Sequence, residues 1–247
     1  MYFALLGTAG WMPQDSRETA ALLVRDDDRV LLFDAGTGVR RLITNPELID
    51  GATSIDVLLS HFHLDHIIGL TYLFGLPLHL RIAIWGPGAW CYGRPTAHIL
   101  HKVIGEPYLA ATLDDRARIY DLAADGTAIN GFAVHAQRQT RHTAPSIAFR
   151  LDDVFTYCTD TEYDPTNAAF AAGSKLLIHE AWTTGSHGSV GHSSAVEAAR
   201  IAYDSDVEHL LLVHIAPTAD TAQLSEEARV VFPPVTVATD LMPVSVA

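Results

Sequence analysis

His61-Phe62-His63-Leu64-Asp65-His66 places four metal-binding side chains within six residues. It follows directly on an apolar run, Ile55-Asp56-Val57-Leu58-Leu59-Ser60, that reads as a buried strand. Imidazole and carboxylate together suit a borderline divalent cation such as zinc. Four such groups in one tight turn are too many for a single tetrahedral ion once more distant ligands join, so the pattern asks for two metals. Histidines also serve as caps or packed core residues, but that reading needs four coincidences in one turn.

Outward from this turn, strand-like runs and turn signals alternate. Runs at 2–8, 19–24 and 29–34 predict an antiparallel opening, with the acidic turn Asp26-Asp27-Asp28 before the third. Strand 55–60, the histidine turn, a helix-like segment 67–74 and strand 80–85 follow. A helix is expected from the Gly-Pro-Gly start at Gly86 through Leu100. The second half predicts strands at 128–135, 146–151, 154–159, 175–180, 209–214 and 235–239, and a helix at 193–203. This grammar is mixed α/β.

The remaining ligand-type residues fall at strand ends, where loops converge without breaking a sheet. Asp34 closes Leu31-Leu32-Phe33, Asp160 follows Phe155 to Thr159, Glu180 follows Leu176-Leu177-Ile178, and His214 follows Leu211-Leu212-Val213. His142 sits in the turn Thr140-Arg141-His142-Thr143-Ala144-Pro145.

At these positions the chain resembles the metallo-β-lactamase superfamily. The resemblance rests on His-x-His-x-Asp-His at 61–66, Asp34, the His-Thr-x-Pro turn at His142, Asp160-Thr161, His214, and the closing stretch Ala238 to Met242. It implies an α/β fold, a four-layer αββα sandwich with mixed sheets and the metal site at the strand ends. It also implies that His61, His63 and His142 hold a first metal, that Asp65, His66 and His214 hold a second, and that Asp160 bridges them. The metals would be two divalent ions, zinc first, with manganese or iron also compatible. Asp34 would support the ligands by hydrogen bonding.

Within that superfamily, Leu177-Ile178-His179-Glu180-Ala181 and Gly191-His192-Ser193-Ser194-Ala195 look like the ribonuclease Z branch. There a glutamate orients a histidine that protonates the leaving oxygen, which assigns general-acid chemistry to Glu180 and His192. The plainer role for His192 is a place at a helix start beside a serine cap. The two-metal template then implies attack on phosphorus by a bridging hydroxide, with Asp65 orienting the attacking water. Arg141, Arg150 and His187 lie near enough in sequence to matter and receive no role.

The tRNA-processing members of this branch carry a long arm between the metal histidine and the bridging aspartate. Here His142 and Asp160 are only 18 positions apart. The chain's net charge of −13 also disfavours a polyanionic partner, because nucleic-acid binding draws on phosphate neutralisation by Lys and Arg. The expected activity is therefore a phosphodiesterase acting on a small diester, such as a cyclic nucleotide or cyclic sugar phosphate, with tRNA set aside. Three alternatives stand: a carboxyl-ester or lactone hydrolase of the same fold, an RNA 3′-processing endonuclease, and a non-catalytic metal- or ligand-binding module.

At 247 residues, with 49% hydrophobic and 18% charged residues, the composition predicts one globular domain over 1–247. The aromatic stretch 86–121 is expected to form a lid or an interface, and a homodimer is left open. The start of the sequence lacks a basic n-region, and no apolar run approaches the roughly 18 residues of a membrane span. No membrane association is expected, and a cytoplasmic location is. Cys91 and Cys158 are too few for a disulfide framework.

Overall fold

Apolar runs bounded by turn residues become strands, and the two sheets they build meet through their apolar faces. The computed structural model describes residues 1–124 and 127–244. In chain order the elements are β1 (Tyr2–Gly7), β2 (Ala21–Asp26), β3 (Arg29–Phe33), α1 (Arg41–Thr44), β4 (Ser54–Leu58), α2 (Leu64–Ile67), β5 (Arg81–Gly86), α3 (Gly88–Tyr92), α4 (Thr96–Leu100), β6 (Arg118–Asp121), β7 (Thr127–Ile129), β8 (Phe132–Gln139), β9 (Ser146–Leu151), β10 (Phe155–Cys158), α5 (Thr166–Ala171), β11 (Leu176–Glu180), α6 (Ala195–Ser205), β12 (His209–Val213), α7 (Thr221–Val231), β13 (Val235–Val237) and β14 (Pro243–Val244).

One sheet runs β14-β1-β2-β3-β4-β5-β6, the other β13-β12-β11-β10-β9-β8-β7. In the first, β1 pairs antiparallel with β14 and β2, and β2 with β3, whereas β3 to β6 run parallel. The second mirrors this, with β10 to β13 parallel and β7 to β10 antiparallel. Both are mixed sheets, flanked by helices, as in the αββα sandwich.

Alternation along the strands explains the layers. Phe3, Leu5, Leu31, Phe33 and Leu58 of the first sheet pack against Phe149, Phe155, Tyr157, Ile178 and Leu211 of the second. Phe33 meets Phe149 and Phe155 edge to face at centroid distances of 5.5 and 5.3 Å. The opposite face of the second sheet buries Leu177, Leu210 and Leu212 beneath Ala198, Ala199, Ile201 and Ala202 of α6 and Leu224 and Ala228 of α7. Helix α6 begins at a capping box in which Ser194 and Glu197 satisfy each other's backbone amides.

Four expectations are corrected. The helix anticipated from Gly86 to Leu100 is two short helices, α3 and α4, because Gly93 adopts φ +63° and Pro95 cannot continue a helix. Only the start of the helix-like segment near 67 is α-helical; the chain then tightens into a 3-10 helix at Ile68–Gly75. The strand expected at 128–135 is divided at Asn130 and Gly131 into β7 and β8, and helices α1, α5 and α7 are additional to the sequence reading.

Within 86–121, Trp90 and Cys91 pack against the inter-sheet core, and Leu100, Ile104, Leu113 and Ala117 belong to the core outside the first sheet. Trp85 donates its indole N–H to Asp56 and stacks on Tyr120. Tyr92 donates to the Pro145 carbonyl. His98 and His101 are exposed.

The candidate metal centre

The residues at the ends of β3, β4, β10, β11 and β12, joined by the turn before β9, converge at one end of the seam between the sheets. Three of them turn inward through an unusual backbone: Asp34, Asp160 and His214 have φ of +59°, +49° and +53°. Non-glycine residues seldom occupy this left-handed region, and such positions cluster at functional sites.

Three overlapping groups of donor atoms form, the third being Asp160, His192 and His214. His61, His63, His142 and Asp160 lie within 4.8 Å of one another, as do Asp65, His66 and His214. Asp160 faces both. Its Oδ2 is 3.7 Å from His61 Nε2 and 3.6 Å from His142 Nε2, whereas Oδ1 is 3.1 Å from His66 Nε2 and 3.3 Å from His214 Nε2.

Neighbouring polar groups decide which imidazole nitrogen is left to bind. His142 Nδ1–H donates to the Gly191 carbonyl at 2.7 Å, and His66 Nδ1–H donates to Asp34 Oδ2 at 2.9 Å. Ser60 donates its hydroxyl to Asp34, so it accepts from His61 Nδ1–H at 3.0 Å. Each Nε2 therefore presents a lone pair to the cluster. His66 Nε2 and His214 Nε2 then stand 3.2 Å apart, His142 Nε2 stands 3.1 Å from His63 Nδ1, and His61 Nε2 is buried without a hydrogen-bond partner. The lone pairs of His61, His66 and His142 converging beside two carboxylates mark a cation site, and this donor set fits divalent metal ions.

Charge within the cluster is tightly coupled. Burial alone would raise the Asp160 carboxyl, but His214, His66 and His61 hold it well below the usual carboxylate range. Burial works downward on His66, yet Asp160, Asp65 and Asp34 carry it well above the ordinary imidazole value, so a proton competes with a cation for its Nε2 lone pair. Burial and the neighbouring His66 hold His61 well below it.

Behind these groups Asp34, fully buried, accepts four hydrogen bonds: from Ser60 N, Ser60 Oγ, His66 Nδ1 and Tyr157 Oη. On the opposite side Glu180 Oε2 contacts His192 Nδ1 at 2.9 Å, and its other oxygen accepts from the Thr161 amide. Burial and then Asp160 push Glu180 up, while burial pulls His192 down. Both directions favour a neutral pair, in which the Glu180 carboxyl donates to His192 Nδ1 and His192 Nε2 carries the N–H. Trp182 stacks on the His192 ring at 4.5 Å and 18°.

All ten residues singled out in the sequence are thus brought together: His61, His63, Asp65, His66, His142, Asp160 and His214 in the donor clusters, Asp34 behind them, and His192 at the rim with Glu180 buried behind it. Sequence reasoning missed Trp182, Ser60, Tyr157 and Gly10. A Cβ on Gly10 would lie 2.6 Å from His214 Nδ1 and 2.7 Å from the Trp182 ring. The signal available for Trp182 was its position two residues after Glu180. Arg150 is spent on the carbonyls of Asp152, Phe170 and Ala172, and so is structural. Arg141 pairs with Asp164 at 3.5 Å. It lines, with His187 and His192, a cleft of about 260 Å³ beside the site.

A sandwich of two mixed sheets with this donor set at its strand ends is the metallo-β-lactamase architecture. The family described as "Beta-lactamase superfamily domain" matches residues 29–215, and the chain belongs to it, a superfamily of metal-dependent hydrolases. Among curated relatives, a ribonuclease Z of Methanopyrus kandleri is 28% identical over an alignment 272 positions long, gaps included, covering 95% of this chain and 94% of that protein. Among solved structures, the metallo-β-lactamase fold protein YhfI from Bacillus subtilis superposes with a TM-score of 0.80 at 23% identity, over 97% of each chain. A diphosphatase from the PhnP family superposes with a TM-score of 0.76 at 17% identity, over 98% of this chain and 96% of that one. The expectation that set tRNA aside finds no support in these comparisons, since the curated relative is a ribonuclease Z. Among the described residues no helix is long and apolar enough to cross a membrane.

Proposed function

We propose that this protein is a dinuclear metal-dependent phosphodiesterase acting on a small diester. The observation that carries the reading is the Glu180–His192 pair set against the donor clusters, because a proton donor at a metal site serves a leaving group that departs as an alkoxide. His61, His63 and His142 would hold one divalent ion and Asp65, His66 and His214 the other, zinc being the first candidate, with Asp160 shared between them. Ions held there supply Lewis-acid charge compensation at phosphoryl oxygens and a nucleophile at neutral pH.

The chain's own groups do the rest. Asp65 Oδ2, fixed by the Trp11 amide at 2.7 Å, accepts a hydrogen bond from the attacking water and orients it. His192 gives its Nε2 proton to the leaving oxygen, and Glu180, buried behind it, holds the ring in that tautomer. Asp34 fixes the His66 ring.

The small-diester assignment is supported by the short path from His142 to Asp160, a turn followed by the β9–β10 hairpin, and by the net charge of −13. An RNA 3′-processing activity is the second reading, favoured by the ribonuclease Z relative.

The test is hydrolysis by the metal-loaded protein and its His192→Ala variant of a cyclic nucleotide and a dinucleoside monophosphate. An RNA with a 3′ trailer, a carboxyl ester and a lactone are assayed alongside. Diester cleavage that falls about 100-fold in the variant supports the assignment. Cleavage confined to the ester or lactone overturns it, and cleavage confined to the RNA moves it to the second reading.

A further inference from the structure

The loop 183–194, which carries His192, is gripped by three carboxylates from three different segments. Gly185 N donates to Glu227 Oε2 on α7 at 2.6 Å, Gly188 N to Glu197 Oε2 on α6 at 2.8 Å, and Gly191 N to Glu162 Oε1, just past Asp160, at 2.8 Å. The glycines are required. Gly185 and Gly191 have φ of +90° and +83°, and a Cβ on Gly188 would lie 1.9 Å from the His192 carbonyl.

The third grip matters most for the site. Both polar groups of Gly191 are fixed, its N–H by Glu162 and its C=O by His142 Nδ1–H at 2.7 Å. The next residue is His192, whose own amide donates back to Ser189. Glu162 in turn is anchored where its amide meets the Arg141 carbonyl at 2.7 Å. One carboxylate thus couples the segment bearing Asp160, the turn bearing His142 and the loop bearing His192. A donor aimed at a leaving oxygen loses much of its effect when displaced by about 1 Å.

We infer that Glu162 is a positioning residue: by accepting from the Gly191 amide it fixes the His192 loop in register with the leaving-group side of the site. This rests on the general-acid role proposed for His192. It depends on acceptor geometry rather than charge, so an amide in place of the carboxylate keeps most of the effect.

The experiment compares wild type, Glu162→Ala, Glu162→Gln and His192→Ala, all metal-loaded, on two diesters that differ only in leaving group. One releases an alkoxide, which needs a proton as it departs; the other releases p-nitrophenolate, which does not. Glu162→Ala is expected to lose about tenfold or more in kcat/KM on the alkoxide substrate and to stay within about threefold on the other, with Glu162→Gln close to wild type on both. Amide hydrogen exchange at Gly191 should speed up in Glu162→Ala and not in His192→Ala, while thermal unfolding confirms that each variant is folded. Equal loss on both substrates, no loss on either, or a Glu162→Gln protein as impaired as Glu162→Ala overturns the inference. If His192→Ala does not discriminate between the leaving groups, the general-acid role fails. Exchange at Gly191 then separately decides whether Glu162 holds the loop.

Discussion

Asp34 shows how one side chain sets the properties of several others. It is fully buried, lies between the sheets and has all four of its donors aimed at it. Replacing it with alanine strands two backbone or hydroxyl donors of Ser60 and frees the His66 ring to rotate. Metal affinity of Asp34→Ala, measured by competition with a chromophoric chelator, should fall about 10- to 100-fold, the scale for a lost partner of a ligating histidine. Unchanged affinity would show that His66 is held by packing alone. His179 is a different case. Its Nδ1–H donates to the Glu180 carbonyl at 2.9 Å, its Nε2 has no partner, and burial pulls it down to about 4 from an ordinary 6.5. The unfolded chain therefore takes up this proton first as pH falls, so the stability tied to neutral His179 is present above about 6.5 and is lost on the way down to 4. Between pH 7.5 and 5, wild type should lose about 2 kcal/mol more than His179→Leu in urea unfolding. Equal pH slopes would refute that assignment. The sequence disclosed the residue types at the strand ends, since a ligand can be read from its chemistry and position. It did not disclose the left-handed backbone of Asp34, Asp160 and His214, because nothing in an aspartate or histidine announces it.

Elements position these residues, and here the sequence was legible in proportion to its periodicity. The long apolar runs of β3, β4, β11 and β12 were readable because strands buried on both faces have little polar interruption. The segment after Gly86 misled because its apolar spacing suggests one helix, while Gly93 and Pro95 act locally to divide it. Helix α7 carried a usable sign, an Asp220 cap accepting from Ala222 and Gln223. Contacts between a loop and a distant strand end were not readable at all. The crossing of Gly10 against His214 and Trp182 joins residues about two hundred positions apart. That crossing makes Gly10→Ala a test of the loop between β1 and β2. The added methyl must displace the His214 ring or the Trp182 ring, and kcat/KM should fall at least about tenfold with little change in far-ultraviolet circular dichroism. Activity near wild type would mean the loop simply moves aside.

For the molecule as a whole, the two halves contribute equally to one site: Asp34, His61, His63, Asp65 and His66 from the first, His142, Asp160, Glu180, His192 and His214 from the second. Cations bound at this seam act on folded protein and not on the unfolded chain, so removing them lowers stability. A chelated sample should unfold roughly 5–10 °C below one holding metal at about 100 times its Kd, with calorimetry as the readout and added zinc restoring the difference. An unchanged transition would argue that the clusters bind no ion tightly. The global charge of −13 was visible from the start, as was the brevity of the path from His142 to Asp160, and the small-diester proposal draws on both.

The order of these groups along the chain also bears on biogenesis. As the polypeptide leaves the ribosome, Asp34 and the histidine turn emerge early, but Asp160 and His214 follow roughly a hundred and a hundred and fifty residues later. Until the second sheet has docked, the nascent chain offers the histidine turn without the partners that close a cage around it. The second donor group, which needs His214, is completed only after β12 has emerged, and a fragment ending before β12 would keep His61, His63, His142 and Asp160 but lack that group.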